Sequence, residues 1–326
     1  MKSPPFWHQS TGLLAMMLWP ISQIYLFFTW IRSKVVTPWV CKTPVWCVGN
    51  ITLGGSGKTP ITLALARWTE ERGQKVCLIS KGYRGQSTHV PFQVNTHTHS
   101  AQEVGDEPLL LAKHFTTIVG KNRVKALQEA EKTKASLLIM DDGYQNPTIQ
   151  KSLHLLVIHS VASLGNQKLF PAGPLREPVE SACSKADIIL TFEPTSTLKK
   201  NLNIPNPVPV FQLEKRVYFK TPVPSKNIWA FCGLGNPDQF YQSLEKIGLV
   251  ICQKTSFADH AVLDIQTLKS MVAEAQKNKL TLVCTAKDAV KIPEDLLSQI
   301  YVAHLDVLLP DDLVKTLTGT LPAIKR

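Results

Sequence analysis

The apolar positions fall into short, unbroken runs separated by longer amphipathic stretches. Residues 45–48, 75–80, 136–140, 153–159 and 187–192 are runs bounded by turn residues, the pattern of strands buried on both faces. Residues 61–72, 106–115 and 122–134 read as helices, with a short strand at 117–119. Residues 86–105 are polar and turn-rich and predict a loop. This alternation predicts an α/β fold: a P-loop NTPase-type parallel sheet with helices on both faces. Prolines and polar residues dominate 193–226, which reads as a linker with a pair of short strands. A second, smaller α/β unit then starts at Ile228-Trp229-Ala230-Phe231-Cys232 and runs through Leu280-Thr281-Leu282-Val283-Cys284 to about Leu309. The expected boundaries are 1–34, 35–192, 193–226 and 227–326.

The first segment has its own pattern. Residues 12–31 contain no charged side chain and are rich in Leu, Met, Ile, Phe and Trp, about the length a bilayer requires. Arg32 and Lys34 follow, and no small-residue cleavage site does, which argues against a secretory leader. Pro20 and the Ser22-Gln23 pair keep open a helix lying in the interface instead of crossing it. Either way 1–34 reads as an N-terminal membrane helix, with Trp7, Trp19, Trp30 and Trp39 suited to the lipid–water boundary. The basic flank places the remainder on the cytoplasmic side.

Charge and cysteine content narrow the class. A net charge of +11, with no acidic residue before Glu70, points to anionic partners: a membrane surface, a phosphorylated substrate or nucleic acid. The seven cysteines form no C-x-x-C pair and read as reduced core residues, not as disulfides or zinc ligands.

The chemistry concentrates after the first strand, in Gly49-Asn50-Ile51-Thr52-Leu53-Gly54-Gly55-Ser56-Gly57-Lys58-Thr59. A strand, a glycine-rich turn and a helix in that order form a phosphate cradle, because successive backbone N–H groups face an anion at the helix N-terminus. Gly54, Gly55 and Gly57 supply the flexibility, since Thr52 stands where the usual pattern has glycine. Lys58 would reach the β/γ-phosphates of ATP and Thr59 would ligate Mg²⁺. Asp141 and Asp142 both qualify as the metal-side carboxylate at the end of a strand, with Gly143 permitting a sharp turn. Asp106 reads as an N-cap, followed by Glu107 at the positive end of the helix dipole. The Asp259-His260 pair suits a proton relay. Lys81, Arg84 and Arg176 are candidate phosphate contacts, Arg176 lying in the proline-stiffened loop 169–178. Ser184-Lys185-Ala186-Asp187 precedes its strand and so does not fit a guanine-reading motif. Gly233-Leu234-Gly235-Asn236-Pro237 lacks the third glycine of a dinucleotide fingerprint, and His97 and His99 read as loop.

Taken together, these segments resemble the tetraacyldisaccharide 4′-kinase (lipid A 4′-kinase) family. The likeness runs from the N-terminal segment through Lys81-Gly82-Tyr83-Arg84-Gly85, Val104-Gly105-Asp106-Glu107-Pro108 and Asp141-Asp142-Gly143-Tyr144-Gln145. It continues through the 170–178 loop, Gly233 to Pro237 and Asp259-His260, and ends at Lys287-Asp288-Ala289. Thr52 is similar to the family's own variant. Thr285-Ala286-Lys287-Asp288 departs from the family's Thr-Glu-Lys-Asp, and no role is assigned to it.

The resemblance implies transfer of the ATP γ-phosphate to the 4′-hydroxyl of an acylated glucosamine disaccharide 1-phosphate. The reaction would take place at the cytoplasmic face of an anionic inner membrane. It implies a catalytic set of Asp106 as base assisted by His260, with Lys58, and with Asp141 as the alternative base. Thr52, Gly54, Gly55, Ser56, Gly57, Lys58 and Thr59 would bind nucleotide; Thr59, Glu107 and Asp142 would hold Mg²⁺; Lys81, Arg84 and Arg176 would bind substrate. The competing reading is a membrane-associated switch ATPase of the partition or division-positioning kind, but Leu53 stands where those place a signature lysine. No basic stripe interleaved with aromatics supports a nucleic-acid partner.

Overall fold

The apolar runs pair into one large sheet. The strands are β1 (Val45–Asn50), β2 (Val76–Ser80), β3 (Phe92–Gln93), β4 (Thr117–Val119), β5 (Leu137–Asp141), β6 (Leu153–Val157), β7 (Ile188–Thr191) and β8 (Val210–Gln212). They lie in the order β3-β4-β2-β5-β1-β6-β7-β8, parallel throughout except for β3 against β4. This is a computed structural model, and it describes residues 4–9, 12–54, 57–83, 85–86, 89–259, 261 and 263–323.

Both faces of β1, β2 and β5 are buried because helices cover both. Side chains alternate across a strand. Trp46 and Val48 therefore pack with Ile61 and Leu65 of α2, while Val45 and Cys47 join Ala126, Leu127 and Ala130 of α5 on the other face. The helices here are α1 (Leu13–Val35), α2 (Lys58–Glu70), α3 (Ala101–Val104), α4 (Asp106–Ala112) and α5 (Arg123–Glu131). Full burial of one large aliphatic side chain contributes about 1.5–3 kcal/mol, so these two layers supply the main drive for folding.

A second sheet contains β9 (Glu214–Phe219), β10 (Asn227–Cys232), β11 (Val250–Ser256), β12 (Thr281–Thr285) and β13 (Tyr301–Leu308). Its order is β11-β10-β12-β13-β9, with β9 antiparallel to β13.

Three segments differ from the expected division. The 193–226 stretch does carry two strands, but they belong to different sheets: β8 closes the edge of the first and β9 the edge of the second. The crossing point, Leu213, is buried in the core of the first. The last helix, Asp311–Thr318, was expected in the second unit, yet Leu313 and Leu317 pack into the core of the first sheet. Their four-residue spacing puts both on one helical face. An ion pair of 2.8 Å between Arg67 on α2 and Asp306 on β13 reinforces that return. Finally, residues 86–105 are not all loop. They hold β3 and α3, the latter started by a capping box in which Ser100 and Glu103 satisfy each other's backbone N–H groups.

At the N-terminus, α1 runs unbroken through Pro20 for 23 residues. It is long and apolar enough to cross a membrane by length and composition. Most of its large side chains, among them Leu13, Met17, Trp19, Ile24, Phe28 and Trp30, are exposed. Its one polar anchor is Ser22, fully buried, which donates to Leu169 O at 3.0 Å and accepts from the Ala172 N–H at 3.2 Å. Tyr25 and Trp7 both meet Phe170 edge-on, and the Trp7 indole donates to Pro171 O at 3.1 Å. The helix is thus seated on the proline-stiffened loop.

Because Leu313 is wholly buried in the first sheet's core, Leu313→Ala should cost about 2–5 kcal/mol. Denaturant unfolding followed by Trp46 and Trp68 fluorescence checks this, since both lie in that core. An unshifted midpoint would mean that the last helix contributes nothing to the nucleotide-side unit.

Candidate active site

The phosphate loop begins where β1 ends. Gly54 and Gly57 have φ of 107° and 72°, the left-handed region that favours glycine, and Gly57 hands the chain to Lys58 at the start of α2. Lys58 Nζ bonds Asn50 Oδ1 at 3.0 Å and lies 3.7 Å from Asp142 Oδ1. Asn50 in turn donates from its amide to Thr52 O and Oγ1, both at 3.0 Å, which fixes the ascending limb of the turn. Gly55 and Ser56 lie outside the described residues.

Parallel pairing of β1 with β5 sets Val48 beside Asp141. The carboxylates at the end of β5 therefore stand next to α2. Thr59 Oγ1 donates to Asp141 Oδ2 at 3.1 Å, and Thr62 Oγ1 to Asp141 Oδ1 at 3.3 Å. Asp142 turns the other way, with φ of 58°. Arg176 grips it through Nη1 at 2.9 Å and Nη2 at 3.4 Å. Gly143, which follows the two aspartates, lies against the Met140 side chain, where a Cβ would collide with the sulfur.

The two aspartates are electrostatically opposite. Burial, and then the nearby Glu107 carboxylate, pushes Asp141 well above the usual carboxylate range. Burial also works against ionisation of Asp142, but Lys58 and Arg176 outweigh it and hold that group down at about 2. Negative charge is thus satisfied at Asp142 and unsatisfied at Asp141, beside the Thr59 hydroxyl. Thr59 contacts Asp141, whereas Asp142, expected in the Mg²⁺ ligand set with Thr59 and Glu107, faces Arg176 and Lys58.

Among the described residues no three His, Cys, Asp or Glu side chains converge to hold a metal by themselves. Mg²⁺ in phosphate-transfer sites keeps water and phosphate ligands and takes only one or two protein carboxylates. Thr59, Asp141 and Glu107 fit that smaller demand. The Thr59 hydroxyl bonded to the buried Asp141 carboxylate, with the Glu107 carboxylate near enough to oppose its ionisation, is the donor set that favours a cation there.

Several contributors have no role assigned by the sequence. Arg123, 5% exposed, reaches from α5 to donate to Asp141 O at 3.1 Å and Asp142 O at 2.7 Å, clamping the turn from beneath. Gln145 bonds Asn50 O at 2.8 Å and Glu177 Oε1 at 3.1 Å, and Lys185 pairs with Glu177. The 169–178 loop zips onto the phosphate loop through Leu53 N to Pro174 O (2.8 Å) and Arg176 N to Ile51 O (2.7 Å). Thr52 bridges Leu175 in the same ribbon. Arg176 is therefore placed by backbone pairing with the phosphate loop, which its distant position in the chain gave no means of inferring.

The remaining expected residues are spread around this centre. Asp106 is buried but is not the N-cap of α4; Gly105 is, with φ of 95° and no side-chain cap. A Cβ at Gly105 would stand 2.7 Å from Tyr83 O, so Asp106 takes the first helical position and its carboxylate faces the second sheet. There Lys291 Nζ lies 3.7 Å from Asp106 Oδ2. Asp259, just beyond β11, pairs with Lys287 at 3.1 Å. Lys81 is exposed past the end of β2. Arg84 and His260 lie outside the described residues.

Comparison with known proteins shows the family. A family described as tetraacyldisaccharide-1-P 4′-kinase matches residues 14–322. The tetraacyldisaccharide 4′-kinase of Dinoroseobacter shibae is 36% identical over 327 residues, covering 97% of this chain and 96% of its own. That of Nitrobacter hamburgensis is 34% identical over 331 residues, covering 96% and 95%. Among solved structures, LpxK from Aquifex aeolicus in complex with ATP superposes with a TM-score of 0.75 at 25% identity, covering 95% of this chain and all of that one. The chain belongs to the tetraacyldisaccharide-1-P 4′-kinase family and is a kinase, and the switch-ATPase alternative is not favoured.

Arg123→Met keeps an unbranched apolar stem but removes the guanidinium that donates to both aspartate carbonyls. A buried carbonyl left unpaired costs about 1–3 kcal/mol, so the melting temperature should fall and nucleotide affinity with it. Calorimetric titration with ATP beside a thermal melt checks this. If both stayed at wild-type values, the clamp would have no structural weight.

Proposed function

We propose that this chain transfers the γ-phosphate of ATP to the 4′-hydroxyl of a tetraacylated glucosamine disaccharide 1-phosphate, with Mg²⁺. The reading rests first on one observation: the Lys58 ammonium and the Thr59 hydroxyl, at the N-terminus of α2, stand directly against the paired aspartates. Family membership and the names of the curated relatives supply the acceptor.

Phosphoryl transfer depends mostly on positioning and charge neutralisation. In this reading the loop N–H groups and Lys58 leave Asn50 and Asp142 to take the β- and γ-phosphates. Thr59, Asp141 and Glu107 would hold Mg²⁺, which when bound would supply positive charge to neutralise the phosphates. Asp106 accepts the proton of the acceptor hydroxyl as its oxygen bonds the γ-phosphorus, while the bond to the bridging oxygen breaks and ADP leaves. Asp106 and His260 come from different units, so the base would be complete only when both close around the substrates, limiting hydrolysis of ATP by water. Arg176, Lys81 and Arg84 are assigned to anionic groups of nucleotide or acceptor.

The exposed apolar face of α1 supports a membrane-bound acceptor. We place the catalytic units on the cytoplasmic face of the inner membrane, following the basic residues after α1.

Incubation with γ-labelled ATP and detergent-dispersed acceptor should put label into a lipid-soluble sugar product. Label released only as inorganic phosphate would refute the kinase assignment of the acceptor. Lys58→Ala and Thr59→Ala should each nearly abolish transfer with an unchanged circular dichroism spectrum. Wild-type rates in Lys58→Ala would remove the nucleotide site from this loop.

Removal of residues 1–32 should shift the protein toward the soluble fraction. It should also slow transfer to vesicle-embedded acceptor more than to detergent-dispersed acceptor. Full pelleting of the truncated protein in high salt would put the membrane contact elsewhere.

A further inference from the structure

One buried cation has no part in the scheme above. Lys291, whose side chain is 7% exposed, follows the short helix Ala286–Ala289 of the second unit. Its Nζ lies 2.8 Å from Asp288 Oδ1 and donates to Ala261 O at 3.3 Å. Across the cleft it reaches Asp106 Oδ2 at 3.7 Å.

The three contacts are not equivalent. Asp288 is fully buried and locked within its own unit, its Oδ2 accepting from Thr285 Oγ1 at 2.6 Å and from the Gly233 N–H at 3.0 Å. The carbonyl of Ala261 belongs to the turn that follows Asp259. Lys291 is therefore held on its own side by two anchors and presents the remainder of its charge to a carboxylate of the other unit. At 3.7 Å the ammonium is within ion-pair range of Asp106 but beyond a hydrogen bond. It can orient that carboxylate by charge without itself taking a hydrogen bond to it. Because Asp106 opens α4 of the first unit and Lys291 follows a helix of the second, the contact exists only when the units are together.

We propose that Lys291 is a positioning residue for Asp106, carried by the second unit and anchored there by Asp288. The proposal rests on the reading of Asp106 as the base. It also gives a purpose to the Thr285-Ala286-Lys287-Asp288 segment, which had none: Asp288 seats Lys291, while Lys287 pairs with Asp259.

A merely structural lysine would serve only to neutralise Asp288, and the test separates the two roles. Lys291→Met alone leaves Asp288 buried without its cation and lowers the melting temperature. In Lys291→Met/Asp288→Asn the charge to be neutralised is gone, while the amide oxygen still accepts from Thr285 and Gly233. Melting temperature should then recover, but kcat for labelled transfer should stay depressed by about 10²-fold, the usual scale for a misplaced catalytic group, with KM for ATP unchanged. On an Asp106→Ala background the same pair of changes should add no further loss, since residues that act together are non-additive. Recovery of kcat in Lys291→Met/Asp288→Asn, or losses that multiply on the Asp106→Ala background, would overturn the proposal. An Asp106→Ala enzyme that keeps wild-type kcat would instead overturn the base assignment, and the proposal with it.

Discussion

Two parallel strands that end level with one another bring whatever follows them into one small volume. Here β1 and β5 pair from Val45 beside Leu138 to Val48 beside Asp141, so the phosphate loop and the acidic turn emerge side by side. Both strands are buried on both faces, and a slip of one residue would exchange the faces of every side chain in the strand, which makes the register hard to alter. Thr59, Thr62, Lys58 and Arg123 all find their partners because that register holds. The site is therefore a consequence of core packing: the residues that fix it, Trp46, Val48, Leu137 and Ile139, are apolar and take no part in the chemistry.

Asp141 and Asp142 illustrate how position divides two identical side chains. One points toward α2 and Glu107, where burial and a like charge oppose its ionisation; the other faces Lys58 and Arg176, which favour it. The turn made by the left-handed backbone of Asp142 separates them. The carbonyls of the same turn are held by Arg123, so the aspartates are oriented from below by a cation that does not face the nucleotide site.

The 169–178 loop joins the apolar helix to the chemistry. On one edge it seats Ser22, Tyr25 and Trp7; on the other it pairs with residues 51–53 and carries Arg176 to Asp142. The loop is joined to residues 51–53 by a ribbon of backbone hydrogen bonds, so α1 and the phosphate loop rest on the same short segment. The second sheet is joined to the first in the same economical way, through Leu213, the Arg67–Asp306 pair, the returning last helix and the Lys291–Asp106 contact.

Local pattern alone determined a good deal. The runs at 45–48, 117–119 and 136–140 became strands because their neighbours are too apolar and too short for anything else. Gly54, Gly57, Lys58 and Thr59 announced a phosphate cradle because that turn needs positive φ followed by a helix N-terminus. The apolar helix was legible for the same reason: its pattern depends on no distant partner. Tertiary structure decided everything that rests on pairing between remote segments. The strand β8 in one sheet and β9 in the other, the last helix packed on the first core, and Arg123, Gln145 and Lys291 among the site residues could not be read locally. A buried lysine or arginine has the same sequence appearance as a solvated one; only the carboxylates and carbonyls that the fold brings to it tell them apart. Asp106 failed as an N-cap for a similar reason, since Gly105 had to pass Tyr83 and took the cap position itself. Sequence could state which residue types the chemistry requires, whereas the choice between Asp141 and Asp142 beside Thr59 was made by the register of two strands nearly a hundred residues apart.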